Sequence, residues 1–295
     1  MKLALGPVVY FWKRRDIFDF YRAVAGWPVD IVYLGEIICS KRRELRRDDW
    51  LAIAADLAAA GKEVVLSTLT LVEAESELSY MRRLVENGRF LIEANDMAAL
   101  HMAARRVPFV AGPHINTYNA ATLALLHRLG ATRWVMPLEL NREALAQLQA
   151  TRPAGMQTEV FVFGRMPLSF SARCFTARAH NVGKDQCGFR CIDYPEGMPL
   201  ATQDGKALLA LNGIQTLSAE TYYLYDALAD IERLAVDVVR LSPQAHGMAD
   251  VVGAFRAAMA GSADIGAVRD QLAAHIPQGV CNGYWHGRAG MEWVT

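Results

Sequence analysis

The amino-acid sequence predicts an α/β fold built as a TIM-like β/α barrel. Strand-like runs of Val, Ile, Leu, Phe and Tyr alternate with segments of helical spacing along most of the chain. Several of these runs are continuously apolar, which is typical of strands that are covered on both faces. The 295 residues hold roughly eight β/α units, close to the number and length of a TIM barrel. An open, doubly wound parallel sheet is the alternative fold.

Apolar runs predict the strands in chain order. They read LALGPVVYF (3–11), DIVYLGE (30–36), EVVLSTL (63–69), FLIEAND (90–96), PFVAGPHIN (108–116), RWVMPLEL (133–140), TEVFVFG (158–164), LALNGIQ (209–215) and VDVVRLSP (236–243).

Segments with apolar residues at helical spacing lie between the runs and predict the helices. They cover 16–27, 47–61, 71–87, 96–106, 119–130, 141–150, 221–234 and 251–261. Three residues are candidate amino-terminal caps and three glycines are stop signals: Asp49, Asn119, Asn141, Gly61, Gly88 and Gly130. A strand followed by a helix, repeated many times, requires parallel strands joined by helical crossovers.

The alternation fails between residues 165 and 199, where three of the five cysteines lie. We therefore expect a single barrel domain over residues 1–295, with 165–199 as an insertion after a strand. Little periodicity is present there, so something other than a core of its own should hold the insertion.

Charge and hydropathy exclude several classes of function. Lys plus Arg total 31 and Asp plus Glu total 31, so no bulk positive field favours nucleic acid as a partner. The apolar stretch 3–12 is short and is followed by basic residues, unlike a secretory signal. No apolar run approaches the roughly 18 residues of a membrane span. We expect a cytoplasmic protein without a transmembrane segment.

Three cysteines cluster in the segment CFTARAHNVGKDQCGFRC, with C-x12-C-x3-C spacing at Cys174, Cys187 and Cys191. The spacing favours an iron-sulfur site over a structural zinc site, which prefers closer pairs, or over three unrelated thiols. Basic residues in or beside the segment suit the negative charge of a 4Fe-4S cluster: Arg173, Arg178, Lys184 and Arg190. Cys39 and Cys281 are both candidates for a fourth ligand, and spacing alone leaves the choice open.

A resemblance to a known family bears on that choice. The segments that carry it are GEIICSKRRELRRDDW (35–50), LSTLTLVEAESEL (66–78), SARCFTARAHNVGKDQCGFRCIDYP (171–195), LNGIQTLS (211–218), VDVVRLSPQ (236–244) and CNGYW (281–285). Together they resemble the collagenase-like peptidase superfamily, in particular its branch in oxygen-independent ubiquinone biosynthesis. The resemblance implies a 4Fe-4S cluster held by Cys39, Cys174, Cys187 and Cys191, with Cys281 outside the ligand set.

The resemblance also implies a function and partners. The chain would be an iron-sulfur component of an oxygen-independent hydroxylase that acts on aromatic ubiquinone precursors. A UbiU-like paralogue would form a heterodimer with it, a UbiT-like lipid carrier would deliver the prenylated aromatic substrate, and prephenate would donate the hydroxyl group. A peptidase and a noncatalytic iron-sulfur scaffold are the alternatives, although no spacing of a nucleophile with a base, or of a metal site for hydrolysis, is present.

Polar residues at the predicted carboxyl ends of strands are candidates to line a pocket. They are Glu36, Ser67, Thr68, Glu93, Asn95, His114, Asn116, Glu139 and Gln244. Helix capping is the alternative for Asn95 and Asn116. The basic run Lys41, Arg42, Arg43, Arg46 and Arg47 offers a site for an anionic donor or a partner, and a solvated helix face is the more ordinary interpretation.

Overall fold

The computed structural model describes residues 1–261, 272–276 and 278–295. Its strands are β1 (Lys2–Leu5), β2 (Ile31–Leu34), β3 (Glu63–Ser67), β4 (Leu91–Ala94), β5 (Phe109–Ala111), β6 (Ala131–Val135), β7 (Gln157–Phe170), β8 (Met198–Ala201), β9 (Ala207–Asn212), β10 (Gln215–Tyr223), β11 (Val238–Leu241) and β12 (Val280–Cys281). Its helices are α1 (Arg14–Val24), α2 (Arg47–Ala59), α3 (Glu75–Val85), α4 (Met97–Ala103), α5 (Ala120–Arg128), α6 (Arg142–Ala150), α7 (Phe175–Ala179), α8 (Leu228–Arg233) and α9 (Met248–Met259).

Eight parallel strands, β1 to β7 and β11, form a closed barrel. Neighbours pair in chain order from β1 to β7, and β11 pairs with both β7 and β1. In the register that closes the barrel, Val238 of β11 pairs with Lys2 of β1 and with Glu159 of β7. The predicted TIM-like barrel is confirmed, and the open doubly wound sheet is wrong because β11 covers both edges that an open sheet would leave.

Two predicted elements around residue 220 are wrong. The run 209–215 is not one strand, since β9 ends at Asn212 and β10 begins at Gln215 after a short turn. The helix predicted over 221–234 is confined to α8, because residues 221–223 belong to β10. Pairing of Thr221 and Tyr222 with β7 and with β12 outweighs their helical spacing.

The capping residues predicted for α5 and α6 are confirmed, and the one for α2 is wrong. Asn119 and Asn141 accept hydrogen bonds from the backbone N–H groups of Thr122 and Ala144. Asp49 instead lies inside the first turn of α2, where its carboxylate accepts from the backbone N–H of Arg46 at 2.8 Å. A carboxylate at this position also faces the positive end of the helix dipole.

The strand β7 carries the chain out of the barrel. Its first part pairs with β6 and β11, and its last part pairs antiparallel with β10, which continues the sheet through β9 to β8. Gly164 has a φ of +131°, and a Cβ there would lie 2.5 Å from the Cβ of Ser242. Only glycine therefore permits this passage. The predicted insertion, 165–199, holds the end of β7, α7 and part of β8, and the sheet that it enters extends to Tyr223.

The barrel interior combines an apolar cluster with a layer of buried charge. The apolar cluster contains Ala4, Ile31, Tyr33, Val65, Val110, Val135 and Val238. Arg240 bridges two carboxylates that are wholly buried, with its Nε 2.5 Å from Glu159 Oε1 and its Nη1 2.8 Å from Glu93 Oε1. The guanidinium also lies over the ring of Tyr33 at 3.9 Å, and the Tyr33 hydroxyl donates to Glu159 Oε2 at 2.5 Å. The strands are thus joined across the barrel by buried ion pairs and hydrogen bonds.

Charge pairing decides the protonation of Glu93. Burial favours its neutral form, but Arg240 and hydrogen bonds from Ser67 and Asn95 outweigh burial and lower the pKa of the Glu93 carboxyl. The Ser67 hydroxyl donates to Glu93 Oε2 at 2.7 Å, and the Asn95 amide donates to the same oxygen at 3.1 Å. Glu93 is therefore a carboxylate that depends on Arg240 for its charge balance.

Arg240→Met should reduce the free energy of unfolding by about 3–5 kcal/mol. It removes the cation paired with the buried Glu93 carboxylate and leaves Glu159 with the more distant Arg133, whose Nε lies 3.8 Å from Glu159 Oε2. Urea denaturation followed by circular dichroism measures the change. Arg233→Met is the control, since that side chain is 75% exposed and should cost less than about 0.5 kcal/mol. A loss below about 1 kcal/mol for Arg240→Met would contradict the interpretation of the network.

Candidate functional site

Four of the five cysteines line one cavity beside the barrel. Cys39 comes from the loop after β2, Cys174 precedes α7, and Cys187 and Cys191 come from the turns that follow α7. All four are half-buried and free of disulfide bonds. Cys281 is wholly buried in β12 and does not line this cavity. The structure therefore brings together the four residues implied by the resemblance and keeps the fifth apart.

Hydrogen bonds from backbone N–H groups to side-chain acceptors hold the two loops that carry Cys39 and Cys174. Glu36 Oε1 accepts from the backbone N–H groups of Ile38 and Cys39 at 2.8 and 3.0 Å. Cys174 caps α7, with its Sγ accepting from the Ala177 N–H at 3.4 Å. Both thiols pack against a small apolar cluster of Ile37, Ile38 and Ile214.

The chain reverses direction in a tight turn between Cys187 and Cys191. Gly188 and Phe189 have φ values of +56° and +55°, so two consecutive residues are left-handed. Phe189 packs on Phe11, with ring centroids 6.2 Å apart. Ion pairs of Lys41 with Asp185 and of Lys184 with Glu73 also tie this region to the barrel side of the cavity.

Basic side chains surround the thiols. Lys41, Arg42, Lys184 and Arg190 line the same cavity as the four cysteines. Arg42 is buried, and it donates to the carbonyl of Val9 at 2.8 Å and to Asn212 Oδ1 at 2.7 Å. Burial raises the pKa of the Cys39 and Cys191 thiols, and Arg42 opposes that rise in both. The cavity thus combines four sulfur donors with basic side chains, of which Lys41 and Lys184 also pair with Asp185 and Glu73.

The residue types that line this cavity, four cysteines and four basic side chains, are those that a thiolate-ligated 4Fe-4S cluster uses. Cluster ligation requires deprotonated thiols. Arg42 favours the thiolate forms of Cys39 and Cys191, but burial outweighs it and raises the pKa of both thiols in the protein alone. Within the described residues, no group of three or more His, Cys, Asp or Glu side chains is arranged to hold a metal ion. Ligation by Cys39, Cys174, Cys187 and Cys191 stays a prediction.

The polar residues predicted at the carboxyl ends of strands lie in several separate places. Glu93, Asn95 and His114 line a mainly apolar pocket at the carboxyl mouth of the barrel, together with Arg240. Ser67 and Thr68 are buried under this mouth, where Thr68 donates to the Glu93 carbonyl at 3.0 Å. The remaining predicted residues lie elsewhere. Glu36 holds the Cys39 loop, and Glu139 accepts a hydrogen bond from the Tyr118 hydroxyl. Gln244 lines another pocket, and Asn116 is exposed. Asn95 is not a helix cap, because Asp96 caps α4.

His114 at this mouth is a neutral ring that packs against an aromatic side chain. Burial lowers the pKa of His114 to about 4, so its imidazole is neutral near pH 7. His114 packs edge-on against Phe170, with ring centroids 4.8 Å apart. Arg240 was not among the predicted site residues, although an arginine inside the apolar run VDVVRLSP signals a charged barrel interior.

Residues 20–295 match the family model of peptidase family U32. The chain belongs to this family. Among solved structures, the U32 peptidase Mk0906 matches with 10% identity and a TM-score of 0.46, over 83% of this chain and 93% of that one. HPPK-DHPS of Plasmodium falciparum matches with 10% identity and a TM-score of 0.45, over 88% of this chain and 46% of that one. A GH18 chitinase from Pseudoalteromonas aurantia matches with 12% identity and a TM-score of 0.37, over 89% and 100%.

In the described portion of this U32 chain, no helix has the length and apolar character needed to cross a membrane.

Replacing Arg42 by Met should destabilise the U32 chain by about 2–4 kcal/mol, because the Val9 carbonyl and Asn212 Oδ1 lose a buried donor. Thermal and urea unfolding measure the loss. The adjacent Arg43 is exposed, so Arg43→Met is a matched control that should change stability by less than about 0.5 kcal/mol. Equal effects of the two substitutions would refute the structural role of Arg42.

Proposed function

We propose that this U32 chain is the iron-sulfur subunit of an oxygen-independent hydroxylase for aromatic ubiquinone precursors, and that it is similar to UbiV within the family. The observation that carries the proposal is the convergence of Cys39, Cys174, Cys187 and Cys191 on one cavity lined by basic side chains. These are the four cysteines that the resemblance assigns to a 4Fe-4S cluster.

Each part of the site has a distinct task in this proposal. The four thiolates hold the cluster, and Lys41, Arg42, Lys184 and Arg190 offset its negative charge. Four cysteine ligands leave no iron with an open position, so the bound cluster would transfer electrons or stabilise the fold. Glu36 positions Cys39 through the loop backbone, and the left-handed pair after Cys187 turns the chain back toward Cys191.

The partners follow from the same resemblance. A UbiU-like paralogue would supply the second half of a heterodimer, and a UbiT-like carrier would deliver the prenylated aromatic substrate. The mainly apolar pocket at the barrel mouth, with the neutral His114 and the cation of Arg240 at its base, suits an aromatic ring with a polar substituent.

Peptidase activity is the second candidate, because the family is named for it. A cysteine nucleophile requires a thiolate and a base. Burial raises the pKa of the Cys281 thiol to about 12, and burial likewise raises the pKa values of Cys39 and Cys191. These three thiols are protonated near pH 7 in the protein alone, which disfavours cysteine peptidase chemistry.

Cys39→Ala, Cys174→Ala, Cys187→Ala and Cys191→Ala should each abolish most of the bound iron, because a 4Fe-4S cluster needs four thiolate ligands. Anaerobic purification, iron and sulfide quantitation and an electronic spectrum measure the loss. Cys281→Ala is the control and should retain the iron of the wild-type chain. Undiminished iron in Cys39→Ala, or loss confined to Cys281→Ala, would overturn the ligand set.

Deletion of the protein should block ubiquinone formation during growth without oxygen and leave the aerobic route intact. Quinone extracts from a deletion strain grown under both conditions measure this. Complementation with wild type and with Cys281→Ala should restore anaerobic ubiquinone, and complementation with Cys39→Ala should not. Normal anaerobic ubiquinone in the deletion strain, or equal loss in both conditions, would mean that the assigned pathway is wrong.

A further inference from the structure

Phe189 lies between two cysteines of the cavity, in a backbone conformation that is unusual for its side chain. Its φ and ψ are +55° and +33°, in the left-handed region, and Gly188 before it has a φ of +56°. Among the described non-glycine residues with positive φ, Phe189 is the only one with an aromatic ring. A bulky side chain in this region carries steric strain that glycine does not.

The turn itself does not need that ring. Its hydrogen bonds run between main-chain atoms: the Arg190 N–H donates to the Cys187 carbonyl at 3.3 Å, and the Ile192 N–H donates to the Phe189 carbonyl at 2.9 Å. Glycine in place of Phe189 would allow the same hydrogen bonds without the strain. The Phe189 side chain therefore serves something other than the reversal of the chain.

The ring of Phe189 lies between the cysteine cavity and solvent. It lines the cavity together with the four cysteines, and 46% of the residue is nevertheless exposed. It packs against Phe11, which is only 5% exposed and whose ring centroid lies 6.2 Å away. Phe11 in turn lies under the Arg42 guanidinium, 5.4 Å from the ring centroid. An aromatic ring that rests on a buried one therefore separates part of the cavity from water.

Apolar shielding of the four thiols comes from two places. Cys39 and Cys174 pack against the small isoleucine cluster described above. Cys187 and Cys191 lie outside that cluster, and Phe189 is the largest apolar side chain that lines the cavity beside them. Apolar groups around a metal centre limit the entry of water and influence its redox properties. Loss of the Phe189 ring should therefore uncover the second pair of thiols more than the first.

We propose that Phe189 is an access-limiting residue: its ring, supported by Phe11, restricts the entry of water and of small oxidants to Cys187 and Cys191. The backbone strain then accompanies an aromatic ring placed at a turn that favours glycine. The inference deepens the proposed function and rests on it only where the thiols hold a cluster. Shielding of the free thiols stands on the geometry alone.

Alkylation of the free thiols tests the shielding without a cluster. The full chain, freed of iron and kept reduced without oxygen, is treated with iodoacetamide, and mass spectrometry of its peptides gives the rate at each cysteine. Phe189→Ala and Phe189→Gly should both raise the rates at Cys187 and Cys191 by about fivefold or more, because thiol reactivity follows exposure. The rates at Cys39 and Cys174 should rise less.

Asn181→Gly is the matched control. Asn181 is exposed, has a φ of +55° and lies in the same insertion, but it does not line the cavity. Its replacement relieves strain without removing a ring and should leave every alkylation rate unchanged. Phe189→Leu keeps an apolar side chain and should give rates between those of wild type and Phe189→Ala. Cys281 is wholly buried, so its alkylation marks a variant that has unfolded, and Phe189→Leu then carries the comparison alone.

Two results would contradict the shielding. Wild-type rates at Cys187 and Cys191 in both Phe189→Ala and Phe189→Gly would show that the ring covers nothing. Faster alkylation in Phe189→Gly alone would assign the effect to backbone flexibility, since Phe189→Ala also lacks the ring.

The same variants separate this inference from the proposed function. In a chain that loads iron, Phe189→Ala should hold as much iron as wild type before it meets air. Its visible absorbance should then decay several-fold faster in air-saturated buffer. Faster alkylation in a chain that never loads iron would overturn the proposed function alone. An iron-loaded chain in which Phe189→Ala changes neither alkylation nor decay in air would overturn the shielding alone.

Discussion

Pairing of β11 with both β1 and β7 is the constraint on which the rest of the molecule depends. Because β7 and β11 are adjacent in the barrel, everything between Phe170 and Val238 must leave the ring of strands and return to the same place. That excursion carries Cys174, Cys187 and Cys191, whereas Cys39 follows a barrel strand. Closure of the barrel therefore fixes the distance between the two parts of the cysteine cavity before any ligand contributes.

Buried charge in the barrel interior favours the observed strand register over other registers in which the barrel could close. Glu93, Glu159 and Arg240 come from three different strands, and each needs the others to offset the cost of removing a charge from water. An alternative register would separate the partners and leave single charges in an apolar interior. Aliphatic packing alone tolerates such slippage better, since any apolar side chain of similar size fills the same space.

Alternation of apolar runs with helical segments was sufficient to predict the barrel, because burial on both faces leaves a continuous apolar run in each parallel strand. Of the strands outside the barrel, β9 was predicted in part, by the run 209–215, whereas β10 was not. The physical reason is that β10 owes its conformation to antiparallel pairing with β7, a partner more than forty residues away in sequence. Spacing identified three cysteines, since they lie in one segment. Spacing left Cys39 and Cys281 equivalent. The family resemblance favoured Cys39, and the structure places Cys39 in the cavity of the other three cysteines and Cys281 outside it.

The position of Arg42 has a consequence for regulation. Its guanidinium lines both the cysteine cavity and a second cavity between α2 and α3, so a single cation borders two cavities. Thermodynamic linkage requires that a change in occupancy of one site alters affinity at the other by the same factor in each direction. A negative charge placed in either cavity would interact with the same guanidinium group. Arg42 is in this sense an electrostatic wall that the two cavities share.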